Sequence, residues 1–342
     1  MRLLALPAVR TVARTACVLL AGALALPQSS NAALAPSPPK PPLTSSGYVA
    51  EMSTSSATVR ATVDPRGVET TYYMQYGATA AYGAQTPPLV VGSGTQEVRV
   101  TQSILGLQAN TTYHYRTIAS SAAGTIMGED RVFTTKKIPL AITIAATSHT
   151  DVFGEPFTIS GALSGSESAD HAVVLQTNPF PYLNGFKDVE AVELTNSTGG
   201  FSFTYRGLLQ NTEFRVAALD TPPTPTTDTS PVLATPTVLS PGFIELLAVR
   251  VTLHAHATAR AGFMRLDGTV GPAQPGATVS IQRLRDGHKP EWVGKAPIKH
   301  LASNLSRFST TVRIAHPGLY RASVQVLSGR QVSHYSSSIR IR

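Results

Sequence analysis

Cysteine and charge are both scarce in this sequence. Its 342 residues include a single cysteine, Cys17, and only 14% are Asp, Glu, Lys or Arg. Cys17 lies in an apolar leader, so a processed chain has no cysteine, and disulfides, thiolate metal sites and cysteine nucleophiles are removed together. After the leader no apolar run reaches the ~20 residues that a spanning helix needs. Chemical motifs are missing as well. There is no Gly-x-Ser-x-Gly elbow, no His-Glu-x-x-His, no phosphate loop and no EF-hand-type calcium loop. Paired carboxylates for glycoside hydrolysis stay open, because they can come from distant strands. No cofactor is implied.

Turn formers and small polar residues are plentiful: 26 Gly and 25 Pro stand among abundant Thr and Ser. That mixture favours many short strands over long helices, and the length suits two or three domains. Residues 1–32 read as a secretory signal peptide. Arg2, Arg10 and Arg14 precede the apolar Ala16–Leu26 run, and Ser30-Asn31-Ala32 ends it with small residues. The run is too short for a membrane anchor, and Cys17 precedes most of it instead of ending it, unlike a lipidation site. Residues 33–43 form a Pro-rich, semi-rigid linker.

In residues 44–137 the pattern changes to alternation. Ala57, Val59, Ala61 and Val63 share one face of a strand, and Asp64-Pro65-Arg66-Gly67 closes it with a turn. Further strands are expected over 70–76 and 96–103, with a hairpin of 113–120 and 129–135 around Ala123-Gly124. Asp64–Gly67, Thr70–Gly77, Ala81-Tyr82-Gly83, Leu107–Tyr113 and Arg131–Thr135 together resemble a bacterial fibronectin type III domain. The resemblance implies that Leu107 and Tyr113 occupy a structural corner where the tyrosine hydroxyl bonds back to upstream backbone. Ala109 replaces the usual Pro there, and no Trp sits on the early strand. Tyr72, Tyr73, Tyr76 and Tyr82 are expected to pack rather than stack on sugars.

Residues 138–342 contain a repeat. Gly161 and Gly268, Gln176 and Gln282, Phe201 and Phe308, and Phe214 and Tyr320 recur at offsets of 106 or 107 residues. Phe308, Thr310, Val312 and Ile314 alternate with Ser309, Thr311, Arg313 and Ala315, a half-buried strand. Gly161 and Gly268 are read as opening turns after strands, and Leu239–Gly242 as the break between copies. The two copies, 138–241 and 242–342, resemble bacterial Ig-like repeats. The whole is then all-β: three tandem antiparallel β-sandwiches, one fibronectin type III-like and two Ig-like.

Two surfaces stand out. Phe180, Tyr182 and Phe186 lie on a Pro-stiffened insertion, either a small-ligand or glycan loop or a lid over the sandwich edge. Charge is bipolar: residues 138–242 hold 3 basic and 10 acidic residues, residues 243–342 hold 14 and 4. Arg250, Arg283, Arg285, Lys289, Lys295, Lys299 and Arg313 are candidates for a polyanion surface, against a merely solvated basic face or one docked on the acidic module. His254 and His256 share a strand face but lack further ligands at zinc spacing. The regular first and third modules are not expected to house a cleft. The expected function is non-catalytic: secreted, extracellular binding or cell-surface association through an anionic cell-envelope polymer or polysaccharide, without nucleic acid. A passive spacer or wall component is the alternative, and an enzyme with an unrecognised site is the remaining one.

Overall fold

Alternating burial along short segments organises the chain. In Ser56–Asp64 the side chains of Ala57, Val59, Ala61 and Val63 are buried and their neighbours are not, as a strand with one dry face requires. The computed structural model describes residues 37–147, 149–220, 236–326 and 328–342. The expected signal peptide and the Pro-rich stretch 221–227 fall outside these residues. Every regular element among them is a strand, and three core clusters centre on Met74 and Tyr115, on Phe214, and on Ile281 and Tyr320.

In the first module Leu43–Met52, Ser56–Asp64 and Val98–Leu105 form one sheet, and Thr70–Gly77 and Thr112–Ser121 centre the other. The turn after Ser56–Asp64 forms as its residues dictate. Asp64 Oδ1 accepts from Arg66 N–H at 3.0 Å, and Arg66 and Gly67 both take positive φ, 55° and 84°.

The second module pairs Ala141–Ala146, Phe157–Ser164 and Gly200–Tyr205 against a sheet built on Ala172–Pro179 and Thr212–Leu219. Its first strand is split. Ala141–Ala146 pairs antiparallel in one sheet, and Thr150–Val152 crosses to the other, where it runs parallel to Phe243–Ala248. That pairing corrects the break expected between 241 and 242. Phe243–Ala248 also pairs with Thr212–Leu219, so the second module ends near Ala248. Ser240 is not a linker residue either. Its hydroxyl accepts from Val216 N–H at 2.8 Å where the strand is interrupted, and Ser336 does the same for Ala322 at 2.9 Å.

The third module is one rolled sheet. The strand Glu291–Ala302 pairs at its start with Thr278–Leu284 and at its end with Leu305–Arg313, carrying the ladder around the corner.

Gly161 and Gly268 sit inside strands, not at turns. A Cβ on Gly161 would lie 2.2 Å from the Thr143 carbonyl oxygen, and one on Gly268 2.0 Å from that of Thr252. The first strand of each module crosses so closely that no side chain fits. Phe201 and Phe308, directly opposite, cover the bare backbone with their rings.

The second and third modules interlock. Asn211 side-chain amide donates to Gly329 O at 2.9 Å and its oxygen accepts from Leu247 N–H at 2.8 Å. Val332 N–H donates to Leu247 O at 2.8 Å, and the Phe153 ring lies against Gly271. Among the described residues one ion pair, Arg250 to Glu155 at 2.7 Å, spans the joint. Hydrogen bonding and packing carry most of these contacts, not the opposite net charges of the two modules.

Candidate functional site

The polyanion candidates separate into three groups. Arg250 is committed to the joint, where its Nε donates to Phe153 O at 2.7 Å and its Nη2 meets Glu155. Arg283 is committed too, donating to Pro317 O at 3.0 Å and facing Glu291 at 3.4 Å. Arg285 and Lys289 are exposed on the hairpin between Thr278–Leu284 and Glu291–Ala302, with Lys295 further along the second strand.

Lys299 and Arg313 lie on the other half of the sheet, and there a site is assembled. Cross-strand register sets His254 beside Asp267 and Ser309, His256 beside Arg265 and Thr311, and Thr269 beside Arg307, which is itself opposite Lys299. Directly paired residues project to the same face. The face therefore gathers Arg265, Lys299, Arg307 and Arg313, all exposed. A shallow groove of about 670 Å³ runs between the first three, lined by His254, Arg265, Asp267, Lys299, Arg307 and Ser309 among others. The third module, expected to be too regular for a cleft, thus carries one. Its single carboxylate, Asp267, stands 3.1 Å from His256 Nε2 and 3.4 Å from Arg265 Nε, and Lys299 and Arg307 face the groove without an ion-pair partner among the described residues. Sequence reading missed Arg265. Its signal was the period-two spacing from Arg265 through Asp267 to Thr269.

His254 and His256 are exposed on their strand, and among the described residues no three His, Cys, Asp or Glu groups come together as a metal site.

The insertion loop is folded on itself. The Phe180 and Tyr182 rings meet edge to face at 5.6 Å, the Tyr182 carbonyl accepts from Asn178 at 3.2 Å, and Phe186 lies under the Arg215 guanidinium at 3.9 Å. A Cβ on Gly329 would touch Phe180 at 3.3 Å, so this ring packs against the third module. Leu183, 83% exposed, forms the tip. This geometry matches a joint-facing lid better than an open aromatic platform.

At the corner, Leu107 is buried and the Tyr113 hydroxyl accepts from Gln108 N–H at 2.9 Å, with its ring stacked on Phe133 at 5.8 Å. The third module has its own version, which sequence reading missed: the Tyr320 hydroxyl donates to His316 O at 2.5 Å. Tyr72 is buried and donates to Thr101 O at 3.0 Å.

A further constellation recurs in all three modules. Arg116 Nε donates to Gln75 Oε1 at 2.9 Å and the guanidinium lies over Tyr82 at 4.5 Å. Arg215 bonds Gln176 at 2.7 Å over Phe186, and Arg321 bonds Gln282 at 3.1 Å over Tyr335 at 3.7 Å. Each arginine is directly opposite its glutamine across the two central strands. The signal in sequence was an aromatic-Arg step (Tyr115-Arg116, Phe214-Arg215, Tyr320-Arg321) shared by the first module as well as the repeat pair.

The described residues hold one buried carboxyl pair. Glu245, fully buried, and the half-buried Asp151 face each other where Thr150–Val152 meets Phe243–Ala248. Burial, reinforced by the Asp151 charge, pushes Glu245 up to about 8. Burial and Glu155 raise Asp151 too. Two carboxyls this close and shielded from water cannot both ionise cheaply, and burial keeps the proton on Glu245. They leave no room for the substrate that a glycosidase pair holds between its carboxyls, a gap of ~5 Å or more.

No family model matches the chain, and no curated protein matches it. Among solved structures it is similar to the crystal structure of chicken CNTN1 FN1–FN3 domains, at 13% identity and a TM-score of 0.29, over 89% of this chain and 98% of that one. At this score the likeness carries no weight for function.

Proposed function

We propose that the chain is a secreted, non-catalytic modular binding protein that attaches to an anionic cell-envelope polymer through its third module. One observation carries this reading: four exposed cations, Arg265, Lys299, Arg307 and Arg313, share one sheet face, and the first three line a groove whose only carboxylate, Asp267, faces Arg265. A low-charge chain that concentrates cations on one rigid surface creates a field that draws polyanions. The signal-like leader and the fibronectin type III and Ig-like resemblances supply the extracellular setting, and the first two modules then act as a stalk. The test is co-sedimentation of the full chain with purified envelopes. Retention is expected to fall as salt rises from about 0.05 M to about 0.5 M, where screening shortens to a few ångströms. The variant Arg265→Gln/Lys299→Gln/Arg307→Gln is expected to bind about tenfold more weakly, at up to ~1 kcal/mol for each exposed charge. Salt-independent retention, or an unchanged triple variant, refutes the reading. The interlocked joint around Asn211 favours a second role beside it, a stiff spacer between the first module and the docking face.

A further inference from the structure

The repeated Arg–Gln–aromatic constellation has a fourth position, and the third module fills it differently. Opposite Gln75 in the first module stands Gln85. Opposite Gln176 in the second stands Asp188, which accepts the glutamine amide at 2.7 Å. Opposite Gln282 in the third stands Trp292, 60% exposed and the only tryptophan in the chain. Indole is among the costliest side chains to leave in water. In a chain with 7% aromatics its placement on a solvent face is a departure that needs a cause.

Its surroundings hold polar groups left open. Gln282 Oε1 is used by Arg321, but the Gln282 amide nitrogen and the terminal nitrogens of Arg321 have no partner among the described residues. In the second module the same amide is spent on Asp188, and in the first the Tyr82 floor is tied to Asp130 at 2.8 Å, a carboxylate within the field of Arg116. The third module's version is left open. Tyr335, 48% exposed, supports the guanidinium from beneath and holds its fork flat. A second row follows on the same face, Lys295, Ser280, Ser323 and Tyr335, each directly opposite the next. Past it opens a groove of about 450 Å³ lined by Thr278, Ser280, Lys295, Gln274 and Gln325 among others. From Gln282 to Thr278 the strand covers ~13 Å, room for more than one sugar ring.

We infer that this face is a binding site for an acidic polysaccharide. Trp292 stacks on the apolar C–H face of a sugar ring, the Arg321 fork takes a ring carboxylate in two parallel bonds, the Gln282 amide and the Ser280 and Ser323 hydroxyls meet ring hydroxyls, and Lys295 meets the next carboxylate along. This rests on reading the chain as a binder of anionic polymer. It adds sugar recognition at a second groove, further along Glu291–Ala302 from the Arg265–Arg307 one.

Because Trp292 is the sole tryptophan, its emission reports this face without a label. Titration of the full chain with hexagalacturonate at about 0.15 M salt is expected to give a saturable shift or quench. Maltohexaose, uncharged, is expected to bind at least tenfold more weakly, and inorganic polyphosphate, without rings, to leave the emission unchanged. Arg321→Lys keeps the charge and loses the fork. It is expected to cost about tenfold in hexagalacturonate affinity with the emission of the free protein unchanged. Arg265→Gln/Lys299→Gln/Arg307→Gln is expected to weaken envelope retention and keep the emission response. Three results overturn the site: no saturable response to hexagalacturonate, an equal response to polyphosphate, or unchanged affinity in Arg321→Lys. Loss of retention and emission response together in the triple variant also overturns it, because a single electrostatic surface then explains both. Retention that ignores the triple variant while Trp292 responds refutes the groove and leaves this site standing.

Discussion

Glu245→Gln is the substitution with the most to say about the second module. Glu245 is fully buried and faces Asp151. Its pKa rises from 4.5 in the unfolded chain to about 8 in the folded one. A raised folded-state value means that the folded chain holds the proton more tightly. The stability contribution is fully present below pH 4.5 and is lost as pH climbs through about 8. At 1.36 kcal/mol per pH unit the window sets a ceiling near ~5 kcal/mol. The site relaxes as charge builds, so ~3 kcal/mol is the working figure. Near-isosteric glutamine stays neutral at every pH and can still donate to Asp151. In scanning calorimetry of the full chain, one wild-type transition is expected to drop by roughly 10 °C between about pH 5 and pH 8.5, at ~4 °C per kcal/mol for a module of this size. In Glu245→Gln that transition is expected to hold its position, level with wild type at the low pH and well above it at the high one. A wild-type transition that does not fall, or that falls in parallel with the variant's, refutes the buried-proton account.

Other outcomes follow from single contacts. Gly161→Ala and Gly268→Ala are each expected to cost at least ~3 kcal/mol or abolish folding, because the new Cβ meets a neighbouring strand's carbonyl at 2.2 Å and 2.0 Å; denaturant midpoints check this, and wild-type midpoints refute it. Tyr320→Phe removes the donor to His316 O and is expected to cost ~1 kcal/mol in the third module's transition. Asn211→Ala strips one side-chain bond to Gly329 across the joint and one to Leu247 within the second module. It is expected to increase protease nicking near Gly329 and to broaden the small-angle scattering profile, while the third module keeps its melting transition and the second's falls by the few degrees that one lost buried hydrogen bond costs.

Local pattern was legible; long-range meeting was not. The period of two in Ala57–Val63 and Phe308–Ile314 reports directly which face is buried, because a strand exposes alternate residues whatever it pairs with. The repeat anchors marked equivalent positions correctly, yet the roles of Gly161 and Gly268 were misread. A glycine inside a strand and one after it look alike until the crossing strand is placed. Phe243–Ala248 was assigned across the wrong boundary because Ser240-Pro241-Gly242 has the composition of a linker, and only its ladder with Thr212–Leu219 shows otherwise. Asp151 and Glu245 are far apart in sequence and meet through a parallel pairing that no local signal encodes. The basic face was half legible. The cations were counted, but register decides that Lys299 and Arg313 join Arg265 and Arg307 while Arg250 and Arg283 are spent elsewhere. Trp292 was passed over because its meaning lies in what stands at the same place in the other two modules.

The parallel pairing of Thr150–Val152 with Phe243–Ala248 has a mechanical side. These strands lie near the entry and exit of the second module. A pull that separates its two ends drags them in opposite directions along their own axes. The ladder bonds are then loaded together in shear, where antiparallel end strands would peel open one bond at a time. A protein anchored at one end and dragged at the other by flow would meet its resistance here, with the Glu245 proton beside the clamp.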